Sequence, residues 1–415
     1  MSEPLSEPPS RSLFDRAAFD LEPGTTWVMH CAEGPVPRAA AAAVNDFMGK
    51  ELRPWTARWP EDFTGPMDAL RRHGARVLGC APDALTPTPT TTSGLITVAQ
   101  GFPWAPGDEV VAPRGEFPSN AWPWLALAPR GVAFREAALW DGHLSGPDAW
   151  RGAPPPVGCE PEARLVAALG PRTRVLAVSW VRFQDGLRLD LARLGAACAA
   201  RGVALVVDGI QGAGTLPLAL DDASGIAAFA TGGHKGLLGP QGLGLLWTAD
   251  TFRARLAPPG GWLSVEDAMN FDRANTDFAR GWVADGKRFE QGVPNLVAAV
   301  ALAPGLELIA RTGTERIAAH VAALQRELLG ALAHDAEWAG EAARLAALQG
   351  ENRLGSILAL HHHGRGPEWL HGVLRSASAR RIYASVREGY LRVALHGWHD
   401  SADVARLAEW LRASA

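Results

Sequence analysis

The stretch VLAVSWVRFQDGLRLDLARLGAACAARGVALVVDGIQG, residues 175–212, decides the fold. Val175–Val181 is a short apolar run and reads as a buried strand. Asp190–Arg201 spaces its apolar residues as a helix does, with an Asp at its start and Gly202 just past its end. Val203–Val207 is a second buried strand, closed by Asp208-Gly209. A strand–helix–strand unit of this length implies a parallel pair joined by a right-handed crossover. Sheets of this kind bind ligands at the carboxyl ends of their strands. Asp208 lies at such an end.

Outward from this unit, further strands are expected at Glu109–Ala112, Ile226–Thr231 and Leu243–Trp247. Gly152–Pro161 (GAPPPVGCEP) reads as a surface loop, and Ala257–Gly261 (APPGG) as the end of the compact α/β unit. From Asn295 the chain turns to long Ala/Leu-rich helices, then strand-like segments at Gly355–Leu360 and Leu391–Leu395 and a last helix from Ser401. The expected organisation is an α/β large domain over 21–294, with a mostly parallel central sheet flanked by helices. A smaller α+β domain follows over 295–415. Residues 1–20 are expected to form a disordered N-terminal arm, polar and rich in Pro, Ser and Glu at its beginning.

The 415 residues carry a net charge of −4, which offers no basic field for nucleic-acid phosphates. No apolar run approaches the ~18 residues of a membrane span, and the first residues lack a signal-peptide pattern. Cys31, Cys80, Cys159 and Cys198 show neither CxxC spacing nor histidine partners, so reduced thiols in a cytoplasmic protein are expected. Lys50, Lys235 and Lys287 are the only lysines, and arginine supplies nearly all the positive charge. A lysine that persists in such a sequence suggests a need for an amine and not merely a charge.

Four segments carry the chemistry together. Thr90–Thr97 (TTTSGLIT) opens a helix, where free N–H groups and hydroxyls make an anion site; alone it is also an ordinary N-cap. Val206–Gly212 (VVDGIQG) sets a carboxylate at a strand end, able to hold a proton on a pyridine nitrogen, with Gln211 able to donate to a ring oxygen. In Ala230–Trp247 (ATGGHKGLLGPQGLGLLW), Lys235 sits among small residues just after an apolar strand, where burial lowers an amine pKa. Gly239, Gly242 and Gly244 mimic a dinucleotide loop, but they precede a strand and open no helix. Ser385–His399 (SVREGYLRVALHGWH) brings two arginines to a late strand, and a bidentate arginine suits a substrate carboxylate.

The string VDGIQG…GGHKGLLGPQGLGLLW resembles the class V aminotransferase-like branch of fold-type I pyridoxal 5'-phosphate (PLP) enzymes. That branch holds cysteine desulfurases, isopenicillin-N epimerase-like proteins and kynureninases, and the likeness runs from about Gly24 to the last helix. It implies that Lys235 carries PLP as a Schiff base and, once freed, acts as the base at Cα. Asp208 would pair with the pyridine nitrogen and Gln211 with the ring oxygen. Thr92 and Ser93 would form the phosphate turn, with His234 as a further phosphate contact. Phe117, in Gly115–Trp124, would stack on the ring. Gly261 and Trp262 would reach the phosphate of a neighbouring subunit in a homodimer, and Arg392 would hold the substrate carboxylate.

Departures from the family pattern matter too. Gly232 and Val293 stand where many relatives have phosphate-binding hydroxyls, leaving Thr231 or the Trp262 indole of a neighbouring subunit as replacements, or a weaker hold on PLP. Phe183 falls near an Asn of the desulfurases. No cysteine follows Cys198, and the span Arg387–Leu391, where a desulfurase nucleophile would sit, is short. The resemblance therefore implies an enzyme acting at the α-carbon of an amino acid, with transamination first, epimerisation or Cβ–X or C–S lysis next, and a non-catalytic PLP-binding protein as the reading of another class. No metal site is expected; His361–His363 reads as a solvated run, and His396 and His399 as structural.

Overall fold

The computed structural model describes residues 11–362 and 365–414. Its centre is a seven-stranded sheet built from β2 (Leu85–Thr88), β3 (Glu109–Pro113), β4 (Ala133–Ala137), β5 (Thr173–Ser179), β6 (Ala204–Asp208), β7 (Ile226–Gly232) and β8 (Gly244–Thr248). The spatial order is β2-β8-β7-β6-β5-β3-β4. Every neighbouring pair is parallel except the two that involve β8. The β5–helix–β6 unit is as the apolar runs required, with Val178 opposite Val207 and Ser179 opposite Asp208. All five residues of β6 and all seven of β7 are buried, as expected of parallel strands covered on both faces.

The C-terminal part holds β9 (Ile357–Leu360), β11 (Ser385–Arg387) and β12 (Tyr390–Ala394), antiparallel in the order β11-β12-β9. Its last helix, Ser401–Ala413, starts with a capping box between Asp400 and Asp403. The helix Leu296–Thr312, which opens the expected small domain at its Asn295 N-cap, lies against the helices Arg38–Glu51 and Glu61–Leu78. No single helix among the described residues is long and apolar enough to cross a membrane.

The expected disordered arm does not extend over residues 11–20. Phe14 and Phe19 are buried, packed on His396 and Trp398 respectively. Apolar rings of this size, once covered, offset the entropy of ordering the segment. Residues 1–10 lie outside the described residues. The chain then runs along the C-terminal part. β1 (Thr26–Trp27) pairs in parallel with β10 (Ile382–Tyr383), and Met29 bridges to Ala394. This pairing carries Cys31 and Gly34 to the carboxyl ends of the sheet strands, beside Gln211 and His234.

One smaller expectation changes. His361 is buried against Tyr390, and His362 pairs with Glu337 at 3.0 Å, so this part of the histidine run is packed and not solvated. His363 lies outside the described residues. His396 and His399 are fully buried; His396 Nε2 meets the Gly236 carbonyl at 3.0 Å, and His399 Nε2 the Trp27 carbonyl at 2.9 Å.

Candidate active site

Of the three lysines only Lys235 is buried; Lys287 is exposed, and Lys50 is partly exposed in an ion pair with Asp62. Lys235 follows β7, in a turn held from two sides by close backbone approach. A Cβ on Gly34 would stand 2.3 Å from the Lys235 carbonyl oxygen, and one on Gly236 would stand 2.4 Å from that of Ala213. Gly34 N–H also donates to the His234 carbonyl at 2.8 Å. The small residues around Lys235 are thus required by packing, and they fix where its amine emerges.

Asp208 ends β6 with its side chain almost fully buried. One carboxylate oxygen accepts the Ile210 N–H at 3.0 Å. Burial pushes its pKa up to about 6, against the pull of that hydrogen bond and of Lys235. Burial likewise lowers the Lys235 amine, opposed by Asp208 and assisted by Arg392. A second carboxylate, the half-buried Glu116, contributes to the elevation of Asp208. Glu116 accepts the Ser179 N–H at 2.9 Å and the Ser179 hydroxyl, at the end of the neighbouring strand. Desolvation also raises its pKa.

Gln211 is buried, and its Nε2 donates to the Cys31 carbonyl at 2.9 Å while its Oε1 has no partner. An amide nitrogen has two hydrogens, so one donor remains for a ring oxygen. The Phe117 ring centroid lies 5.7 Å from Lys235 Nζ, and Phe117 meets Phe183 edge to face at 5.1 Å. Phe117 and Phe183 form an aromatic edge beside the amine.

At the start of the helix Thr91–Gly101, Thr90 is the N-cap and accepts the Ser93 N–H at 3.0 Å. The ordinary cap is therefore present; it uses Ser93 and leaves the N–H groups of Thr91 and Thr92 without helical partners. Thr92 Oγ1 donates to Ser119 Oγ at 2.7 Å, and the buried Thr91 hydroxyl has no partner. His234 is half-buried, its pKa lowered by burial and by Lys235. Thr231 is buried in β7 and donates to the Gly232 carbonyl at 3.3 Å. Trp262 remains open to solvent, with its indole next to Gly292 of its own chain.

Arg392 is buried on β12. Its Nε and Nη2 donate to Ser385 Oγ at 3.1 and 2.9 Å, and Nη1 donates to the Phe183 carbonyl at 2.9 Å. Three of five guanidinium N–H donors are so committed and two remain for a carboxylate. The turn before it is tight: Glu388 and Gly389, both at positive φ, join β11 directly to β12. The short Arg387–Leu391 span is therefore a hairpin with no room for a catalytic loop.

The chemistry of this donor set fits PLP. It offers a buried amine, a buried carboxylate at a strand end, an unspent amide donor, a helix start for phosphate and an aromatic edge. Sequence reasoning missed Glu116, Cys31 and Gly34. Cys31 lies close enough to Lys235 and Arg392 to act electrostatically on both. Only pairing across most of the chain's length reveals this, and no local signal in the sequence carries it.

The family model for Aminotransferase class-V matches residues 56–377. The chain is 27% identical over 301 residues to a probable cysteine desulfurase of Methanothermobacter thermautotrophicus, covering 71% of this chain and 69% of that one. It is 32% identical over 259 residues to isopenicillin N epimerase of Amycolatopsis lactamdurans, covering 59% of each. Among solved structures, the cystine C–S lyase C-DES in complex with its product cysteine persulfide superposes with a TM-score of 0.77 at 23% identity, covering 92% of this chain and 96% of that one.

Proposed function

Because this chain belongs to the class V aminotransferase family and its cofactor is pyridoxal 5'-phosphate, we propose that it removes the α-proton of an amino acid with Lys235 and transfers the amino group. The observation that carries this reading is a buried amine, Lys235, electrostatically coupled to a buried carboxylate, Asp208. In this reading Lys235 holds the cofactor through its amine. Thr92 and Ser93 at the helix start, with His234, hold the phosphate. Gly261 and Trp262 serve the same phosphate from a second copy in a homodimer. Gln211 donates to the ring oxygen, and Phe117 covers the ring face and keeps water from it.

Bound there, the cofactor supplies an electron sink for the pair left on Cα when its proton departs. Asp208 keeps a proton on the pyridine nitrogen, which sustains that sink. Burial favours the neutral form of Lys235, so once freed it takes the Cα proton near neutral pH. Arg392 orients the substrate by its carboxylate through the two free N–H donors.

A second reading, cleavage at a Cβ–S bond, draws support from the cysteine desulfurase and C–S lyase among the similar proteins. The β11–β12 turn carries no cysteine, so sulfur would leave as a free product and not on that loop. Incubating the holoenzyme with an amino-acid panel tests both. Pyridoxamine phosphate with a 2-oxo acid supports transamination, while pyruvate with released sulfur supports lysis. Inverted stereochemistry supports epimerisation. No change with any amino acid would overturn the enzymatic reading.

A further inference from the structure

The hairpin that replaces a loop before Arg392 also fixes a second arginine. Ser385 faces Arg392 across the β11–β12 pair, and its hydroxyl accepts from the Arg392 guanidinium, so both side chains share one face of the sheet. Arg387 is two residues along β11 and therefore shares that face. It stands opposite Tyr390, diagonal to Arg392, a relation that sets residues ~7–8 Å apart. Two like charges in such a relation repel, and Arg387 disfavours the charged form of Arg392.

Among the described residues neither Arg387 nor Arg392 forms an ion pair. Arg387 donates only to its neighbour's carbonyl, Val386 O, at 2.9 Å and is otherwise exposed. The adjacent Glu388 is coupled to Arg182 and Asp185 instead. The turn itself is rigid: a Cβ on Gly389 would stand 2.8 Å from Trp150 Cβ.

We propose that Arg387 is a specificity residue that binds a second, distal anionic group, so that the substrates are α-amino dicarboxylic acids or amino acids of equivalent double negative charge. This rests on the reading of Arg392 as the α-carboxylate clamp. Arg392 takes the α-carboxylate, and Arg387 the side-chain anion at the mouth of the site.

The test is calorimetric titration of the holoenzyme with the unreactive acids succinate, glutarate and butyrate, at fixed ionic strength. A charge-assisted arginine–carboxylate contact corresponds to ~10–100-fold in affinity, so a dicarboxylate should bind that much more tightly than butyrate. Arg387→Gln should collapse the ratio towards one, and Arg387→Lys should restore part of it. Circular dichroism and cofactor content establish that each variant is folded. Equal binding of mono- and dicarboxylates by the wild type, or an unchanged ratio in Arg387→Gln, would overturn the inference alone. Failure of every acid to bind, with Arg392→Gln indistinguishable from wild type, would instead remove the Arg392 reading and this inference with it.

Discussion

Replacing Asp208 by Asn separates the cost of burying its charge from its use. In the cofactor-free protein the carboxyl titrates at about 6 against an ordinary 3.8, because it is wholly buried. The sign follows from linkage. A raised folded pKa means the folded state holds the proton more tightly, so Asp208 destabilises the fold progressively as pH rises from 3.8 through 6. The gap is about two pH units, and at ~1.36 kcal/mol per unit it amounts to ~3 kcal/mol by pH 7.5. Asp208→Asn removes this dependence. About 1 kcal/mol of this is already lost by pH 4.5, so urea unfolding of apoprotein at pH 4.5 and 7.5 should show wild type losing ~2 kcal/mol more than the variant over that interval. Titrating groups not coupled to Asp208 are common to both proteins and cancel, while Lys235 and Glu116 are coupled to it. With PLP added the ranking should reverse, since the pyridinium pairs with the carboxylate and not with the amide; the variant should bind PLP more weakly and lose nearly all turnover. Identical pH dependence of stability in the two apoproteins would refute the argument.

Arg392→Gln should lower kcat/KM for any amino-acid substrate ~10–100-fold through the lost charge-assisted contact, with the cofactor's absorbance retained; steady-state kinetics and spectra read both. Gly34→Ala should reduce cofactor occupancy measured by absorbance, because its Cβ would fall 2.3 Å from a backbone oxygen of Lys235 that cannot turn away.

The buried β5–β6 unit, the strand before Lys235 and the helix start at Thr91 were legible because each is a local pattern: an apolar run, a cap, a turn. The edges of the sheet were not. β4 reads AFREA and is largely exposed, and β2 carries Pro87, tolerated because that strand lies at the edge. Within the site, Asp208 and Lys235 could be found by spacing. Glu116 could not, because its hydrogen-bond partner Ser179 lies 63 positions away. The two aromatics beside the amine, Phe117 and Phe183, meet across two separate loops, so their contact has no signature along the chain.

Reducing the holoenzyme with borohydride, digesting it and mapping the adduct by mass spectrometry tests directly which amine holds the cofactor. The expected result is a pyridoxyl group on Lys235 and none on Lys50 or Lys287. An adduct on either of those, or an unmodified Lys235 in fully active holoenzyme, would contradict it.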